Sequence, residues 1–255
     1  MSIEKSKAIV IRSQKLGETS KIITLYSRDF GKIKVVAKGS RGPKSRFMGS
    51  LDNLNLIDFV FYHKVNRELH TISQADIIES FKNIRNNLDN FALASLANEI
   101  VVKSQELEEK NYKLFELLSN FLYEINRKLE QPELFFFWFQ LNFLIISGFE
   151  PHLNECLVCA KKYSSIPISY FSYSRGGIYC ETCASDESSY VEMSRETMSL
   201  LNRLNLRTLN ELKEPVARHT IREISRALYL FMTYHVTGVD RLKSLEFLKK
   251  VWNLS

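Results

Sequence analysis

Residues 7–38 read KAIVIRSQKLGETSKIITLYSRDFGKIKVVAK and contain three short apolar runs rich in β-branched residues. These runs predict β-strands over residues 7–12, 20–26 and 32–38, and a glycine-containing turn follows each of the first two. The spacing between the second and third runs predicts a hairpin.

The third of these runs alternates as a half-buried strand does. Ile33, Val35 and Ala37 share one face, and three lysines share the other. Two further strands are predicted over residues 54–62 and 69–74. Five short strands within about eighty residues predict a small closed barrel, and both an OB-fold and an SH3-like barrel fit the pattern.

From residue 81 onward the apolar spacing is that of helices. One segment, from Pro132 to Ser147, is apolar on nearly every side, which predicts a buried helix that ends at Gly148. This segment is too short to cross a bilayer. Helices are expected to resume at Ser194, and the last long one is predicted from about Pro215 to Thr237. The predicted fold class is therefore α+β and multidomain.

The chain has four cysteines, and they form two Cys-x-x-Cys pairs, Cys156 with Cys159 and Cys180 with Cys183. This spacing predicts one structural zinc ion held by four thiolates. Iron would suit the same sulfurs. Two disulfides of a secreted protein are the alternative, but the N-terminus lacks an apolar signal segment, which favours a metal site in a cytoplasmic protein.

These patterns predict three domains. A barrel is expected over residues 1–80, and a helical domain over 81–150 and 190–255. The four-cysteine zinc finger is expected as an insertion over 151–189.

Positive charge is concentrated at the start of the chain. Residues 1–50 contain twelve Lys or Arg and three Asp or Glu, so they carry +9, whereas the whole chain carries +6. Such asymmetry predicts a surface that binds a polyanion, and the alternative is a solvated basic surface without a partner. The segment 39–46, GSRGPKSR, is predicted to be a mobile loop that contacts phosphates. The predicted contacts are Lys32, Lys34, Lys38, Arg41, Lys44 and Arg46.

Aromatic residues near this loop are candidate stacking partners for bases. Phe59 and Phe61 alternate onto one face and are expected to point inward. Phe47, beside the basic loop, is the best candidate for stacking.

The motifs of common catalytic centres are missing from the sequence. It has no paired-histidine zinc motif, nucleophile elbow or dinucleotide fingerprint, and its five histidines are scattered. The chain is therefore not expected to be an enzyme.

In combination, several motifs resemble those of the RecO family of bacterial DNA repair and recombination mediators, over essentially the whole chain. One departure is Ala160, where the family usually has glycine beside the second cysteine. The matching segments are residues 8–12, 16–22, 30–32, 37–41, 148–151, 153, 156–159, 171–172, 176–177, 180, 183 and 242–248.

The resemblance implies an N-terminal OB-fold, a helical domain and an inserted zinc finger. It also implies binding to single- and double-stranded DNA, annealing of complementary strands, and work with RecR and single-stranded DNA-binding protein in loading RecA. A cytoplasmic, nucleoid-associated protein without membrane contact is then expected. The alternatives are an RNA-binding OB-fold protein of translation and a zinc-dependent nucleic-acid enzyme.

The last predicted long helix offers a candidate site for a partner peptide. Arg218, Arg222 and Arg226 recur at four-residue steps and so share one face. In this family the tail of single-stranded DNA-binding protein ends in apolar residues and a free carboxylate, which a cationic face would suit. Alternatively, these arginines pair with Glu214 and Glu223 on a solvated face.

Overall fold

The computed structural model describes residues 2–127, 129–184, 190–205 and 215–251. The chain divides into two compact units. One, here called the barrel unit, comprises Met1–Lys128 and Leu242–Ser255; the other, the cysteine unit, comprises Leu129–Arg241.

Five strands of the barrel unit close into a barrel in the order β1-β2-β3-β5-β4. Neighbouring strands are antiparallel except for β3 and β5, which pair parallel. This arrangement is that of the OB-fold, so the prediction is confirmed. The strands are β1 (Ser2–Leu16), β2 (Ser20–Ser27), β3 (Gly31–Ala37), β4 (Leu56–His63) and β5 (Leu69–Glu79).

Strand β1 is much longer than predicted because it serves two partners. Its first half, from Ser2 to Ile9, pairs with β4, and its second half, from Ala8 to Leu16, pairs with β2. An irregularity in register between Val10 and Arg12 lets the strand bend from one partner to the other. The bend closes the barrel.

The barrel interior is filled by alternate residues of each strand. Ile33, Val35 and Ala37 are buried, as are Phe59 and Phe61, so their predicted inward orientation is confirmed. The two phenylalanine rings stack with centroids 5.2 Å apart. Burying a side chain of this size contributes roughly 1.5–3 kcal/mol, so this interior is a major source of the barrel's stability.

Seven α-helices lie among the described residues. Asparagine side chains cap two of them, since Asn87 accepts a hydrogen bond from the Asn90 amide and Asn111 accepts one from the Leu114 amide. The helices are α1 (Lys82–Asn86), α2 (Leu88–Ser104), α3 (Tyr112–Ile125), α4 (Pro132–Ile146), α5 (Arg195–Asn205), α6 (Arg218–His235) and α7 (Lys243–Val251).

The cysteine unit contains a four-stranded sheet in the order β6-β8-β7-β9. Helix α4 is the predicted apolar helix, and it packs with α5 and α6 of the same unit. Its end is a glycine-terminated cap, because Gly148 has φ of 85° and the Phe149 amide donates to the Leu144 carbonyl. The strands are β6 (His152–Cys156), β7 (Ile168–Ser172), β8 (Gly177–Tyr179) and β9 (Tyr190–Ser194).

The boundaries of the two units do not separate strands from helices, because each unit contains both. Helices α1–α3 and α7 belong to the barrel unit, whereas α4–α6 belong to the cysteine unit. The residues of the predicted helical domain therefore fall in both units, and the three-domain division stays a prediction. None of the described helices is both long and apolar enough to span a membrane.

Candidate metal centre and nucleic-acid interface

The two Cys-x-x-Cys pairs lie on turns that follow neighbouring strands. Cys156 is the last residue of β6, and Cys180 directly follows β8. Because β6 and β8 pair side by side, the two turns meet at one edge of the sheet. The four sulfurs lie within 4.8 Å of one another.

The cysteine cluster has the dimensions of a tetrahedral metal site. Zinc–sulfur bonds of about 2.3 Å in a tetrahedron place the sulfurs about 3.8 Å apart. The sulfurs of Cys159 and Cys180 are 3.7 Å apart, and the Cys180 amide lies 3.4 Å from the Cys156 sulfur. The residues therefore fit a metal ion that prefers four sulfur ligands, such as zinc or iron.

Hydrogen bonding among these side chains prepares a thiolate. The Thr182 hydroxyl lowers the pKa of Cys180 to about 6. Hydrogen bonding with the Cys180 sulfur raises the pKa of Cys183. These hydrogen bonds therefore favour the thiolate form of Cys180, which is the form that binds a metal.

The first turn carries backbone strain at Ala160. Its φ is 55°, in the left-handed region that glycine adopts freely. The Ala160 amide donates to the Cys156 carbonyl. This hydrogen bond closes the turn that carries Cys156 and Cys159.

The predicted basic loop, residues 39–46, contacts the turn between β1 and β2, and Lys38 directly precedes it. The Arg41 amide donates to the Thr19 carbonyl at 3.0 Å, and the Arg41 guanidinium donates to the Gly17 carbonyl at 2.7 Å. Lys38, Lys44 and Arg46 are exposed beside this anchor. The loop is thus tied to the barrel through Arg41, while Lys38, Lys44 and Arg46 face solvent.

Lys32, one of the predicted phosphate contacts, has a hydrogen-bond partner within the barrel unit. Its ammonium donates to the Val102 carbonyl at 2.8 Å, and burial lowers its pKa. The segment after α2 covers the start of β3, since the Glu108 amide bonds the Lys32 carbonyl. Lys34, two residues further along β3, is half-exposed, and its ammonium lies 3.7 Å from the Glu68 carboxylate.

The prediction that Phe47 stacks on a base is wrong. Phe47 is 3% exposed and belongs to the core of the barrel, together with Leu51. The Arg46 guanidinium covers its ring at 4.9 Å from the centroid. The chain therefore returns to the barrel core directly after the basic loop, because removing an apolar ring from water is favourable.

Two basic residues from outside residues 1–50 lie close to Lys38. Lys64 and Arg67 in the β4–β5 loop line a cleft of about 440 Å³ with Lys38, and Leu69 and Thr71 form part of its wall. The parallel pairing of β3 with β5 brings these parts of the sequence together. In OB-folds, strands 2–3 and the β1–β2 and β4–β5 loops form the ligand-binding face. Lys34, Lys64 and Arg67 lie on these elements, whereas the loop of residues 39–46 lies between β3 and β4 and contacts the β1–β2 turn.

The buried His70 holds the β4–β5 loop in place. Its Nδ1 accepts a hydrogen bond from the Lys64 amide at 3.2 Å, so its Nε2 carries the proton and donates to Glu108 at 2.8 Å. His63 approaches the same carboxylate at 3.5 Å. This pattern suits a neutral positioning histidine, because a metal at Nε2 would require the proton on Nδ1, where an amide already donates.

The three arginines of α6 are exposed along one face of the helix. Glu223, an expected ion-pair partner of these arginines, has other partners. Its carboxylate accepts hydrogen bonds from Ser194 and Thr197 at the start of α5. Glu214, the other expected acidic partner, lies outside the described residues. The arginines are Arg218, Arg222 and Arg226.

Comparisons with known proteins cover nearly the whole chain. Residues 1–81 match the family model "Recombination protein O N terminal", and residues 85–246 match "Recombination protein O C terminal". The chain is 31% identical over 253 residues to the DNA repair protein RecO of Desulforamulus reducens, covering 99% of this chain and 96% of that protein.

Two further relatives carry the same name. The DNA repair protein RecO of Caldanaerobacter subterraneus is 35% identical over 183 residues, or 72% of each chain. That of a Thermoanaerobacter species is 28% identical over 257 residues, and the match covers 100% of both chains.

Proposed function

Because the chain belongs to the RecO family of DNA repair proteins, we propose that it is a recombination mediator without enzymatic activity. It binds single- and double-stranded DNA, anneals complementary strands, and helps RecR to load RecA onto strands coated with single-stranded DNA-binding protein. The observation that carries the proposal is the basic surface of the OB barrel.

This basic surface combines three parts: Lys34 on β3, Lys38 with the loop of residues 39–46, and the β4–β5 loop. Its exposed cations neutralise phosphates of either strand and release counterions, so binding is largely independent of sequence. A second strand then meets less repulsion than it would in free solution, which favours annealing. The proposed contacts are Lys34, Lys38, Arg41, Lys44, Arg46, Lys64 and Arg67.

Annealing of complementary strands coated with single-stranded DNA-binding protein tests this function. The wild-type protein is expected to speed annealing, as followed by fluorescence energy transfer between labelled strands. The Lys38/Arg41/Lys44 triple alanine variant is expected to lose most of this effect. No acceleration by the folded wild-type protein, or stronger binding to RNA than to DNA of the same sequence, would contradict the proposal.

The four cysteines hold one zinc ion whose role is structural. When bound, the ion ties the turn after β6 to the turn after β8 and supplies no chemical step. The ligands are Cys156, Cys159, Cys180 and Cys183, and they require reduced thiols. This requirement supports a location in the cytoplasm, where thiols are kept reduced, and the proposed DNA target supports association with the nucleoid.

The exposed arginine face of α6 receives the acidic tail of single-stranded DNA-binding protein. Its three cations match a peptide that ends in acidic residues and a carboxylate, and Ile221 beside them supplies apolar contact. Arg222→Ala is expected to weaken binding of the tail peptide in a fluorescence titration and to leave DNA binding unchanged.

A matched control for the peptide titration is Arg195→Ala, since Arg195 is an exposed arginine at the start of α5. Equal peptide affinity of the wild-type protein and the single variants at Arg218, Arg222 and Arg226 would rule out this face.

A further inference from the structure

A second cavity of the barrel unit lies between α2, the start of α7, and strand β1. Its volume is about 420 Å³, which falls within the range of small-molecule sites, about 300–1,000 Å³. One face of α2 supplies Phe91, Ser95, Asn98 and Val102. The basic surface described above does not include this cavity.

The wall of this α2–α7 pocket contains an unsatisfied polar group. Asn98 is 4% exposed, and its side-chain oxygen has no hydrogen-bond partner within the described part of the chain. Leaving a buried amide oxygen unpaired destabilises the folded state. A ligand that brings a donor would satisfy this oxygen, and an amide side chain matches the paired donor and acceptor atoms on the edge of a nucleobase.

The other walls suit the flat body of a base. Ile11, Leu54 and Val102 are apolar, and the half-buried Phe91 presents an aromatic ring. Stacking on an aromatic side chain accepts any base, because every base has a π-face. The pocket therefore combines a stacking surface with a hydrogen-bonding group.

The rim of the pocket carries cations for the attached phosphates. Arg12 and Lys243 are exposed there. The carboxylate of Glu99 is occupied, since it accepts from the Lys243 and Ser244 amides. Lys15, three residues along β1 from Arg12 and thus about 10 Å away, leads to the β1–β2 turn that the basic loop contacts.

We propose that the α2–α7 pocket holds one unstacked nucleobase of a DNA strand that is bound on the basic surface. This inference rests on the proposed function in DNA binding, and it adds a base contact to phosphate contacts. A held base is removed from its stacked neighbours, which leaves the strand open to a complementary partner.

The test uses the full chain and single-stranded oligonucleotides that contain 4-thiothymidine or 2-aminopurine. In the wild-type protein, ultraviolet cross-linking is expected to attach the thio-base to the peptide that contains Phe91. Asn98→Leu is expected to abolish the cross-link and to weaken binding about tenfold, because the loss of one base contact has this size. The salt dependence of binding should stay unchanged, since no phosphate contact is lost.

Ser95→Phe provides a second variant, because it fills the pocket from a half-buried wall position without replacing a core residue. Both variants are expected to lose the 2-aminopurine fluorescence change. Wild-type binding that persists unaltered in both folded variants, with cross-links elsewhere, overturns the pocket while leaving the proposed function intact. A wild-type protein that binds no DNA at all overturns both.

Discussion

At the scale of single residues, the strained turn at Ala160 makes a direct prediction about stability. Alanine in the left-handed region costs about 1–2 kcal/mol. Glycine removes this cost but loses about 0.4–1 kcal/mol through the greater freedom of the unfolded chain. Ala160→Gly is therefore expected to stabilise the protein by about 0.5–1 kcal/mol in urea denaturation, since relief of strain is the larger effect.

The matched control for this substitution is Ala184→Gly. Ala184 follows the second cysteine pair as Ala160 follows the first, but its φ is not positive. Glycine there brings only the entropic cost and is expected to lower stability slightly. Equal effects of the two substitutions would show that the strain at Ala160 is not released.

Single residues also show where prediction from sequence fails. The alternation of β3 correctly placed Ile33 and Val35 inside the barrel, because period two depends on local geometry. The same alternation placed Lys32 in solvent, yet a segment about seventy residues later covers it. For Phe47, the polar composition of the neighbouring loop concealed a return to the core, which the apolar residues Leu51 and Leu54 four and seven positions later indicate.

Among the helices and strands, α7 depends on a carboxylate from another helix. Burial raises the pKa of Glu99, but hydrogen bonds from Ser244 and Lys243, with the nearby Lys103, outweigh burial and lower it overall. A carboxyl whose pKa is lowered by folding stabilises the folded state above its unfolded pKa of about 4.3. This stabilisation is lost as the pH falls through the lower, folded value.

Glu99→Gln is therefore expected to loosen α7 at neutral pH, because a neutral amide accepts more weakly from the two amides at the start of the helix. Hydrogen exchange of residues 243–251 should become faster in the variant, and the difference from wild type should disappear under acid conditions. Exchange that is equal at neutral pH would contradict this role of Glu99.

The strands show how far local pattern fixes an element. The existence of all five barrel strands was predicted, since each has its own apolar alternation. The length of β1 was not, because residues 2–6 pair with β4, more than fifty positions away, and all of them except Ile3 are polar. Closure of the barrel therefore depends on a pairing that no local pattern reveals.

On the scale of the whole molecule, the cysteine cluster is expected to stabilise its unit and to leave DNA binding intact. Elemental analysis of freshly purified, reduced protein should find one zinc per chain. Cys180→Ser removes one of four ligands and is expected to lower the melting temperature, since metal binding contributes to folding free energy. The Cys180→Ser variant should keep its affinity for DNA, in contrast to the Lys38/Arg41/Lys44 triple alanine variant. Protein that contains no metal would contradict the zinc site.

The basic surface extends across the barrel, and only part of it was predictable. The excess of cations in residues 1–50 points to the loop of residues 39–46, which the structure anchors on the β1–β2 turn. Lys64 and Arg67 were missed because the parallel pairing of β3 with β5 brings them to Lys38. Charge composition locates a binding segment, but long-range pairing determines its outline.

The salt dependence of DNA binding distinguishes lysines that contact phosphate from lysines with a structural role. Each phosphate contact contributes about 0.7–0.9 to the slope of log K against log salt concentration. The Lys38/Arg41/Lys44 triple alanine variant is therefore expected to reduce this slope by about two to three, with weaker binding to every sequence. Lys32→Ala serves as the control, because Lys32 bonds the Val102 carbonyl and should affect stability but not the salt slope. A triple variant that binds as wild type at every salt concentration would place the DNA elsewhere on the molecule.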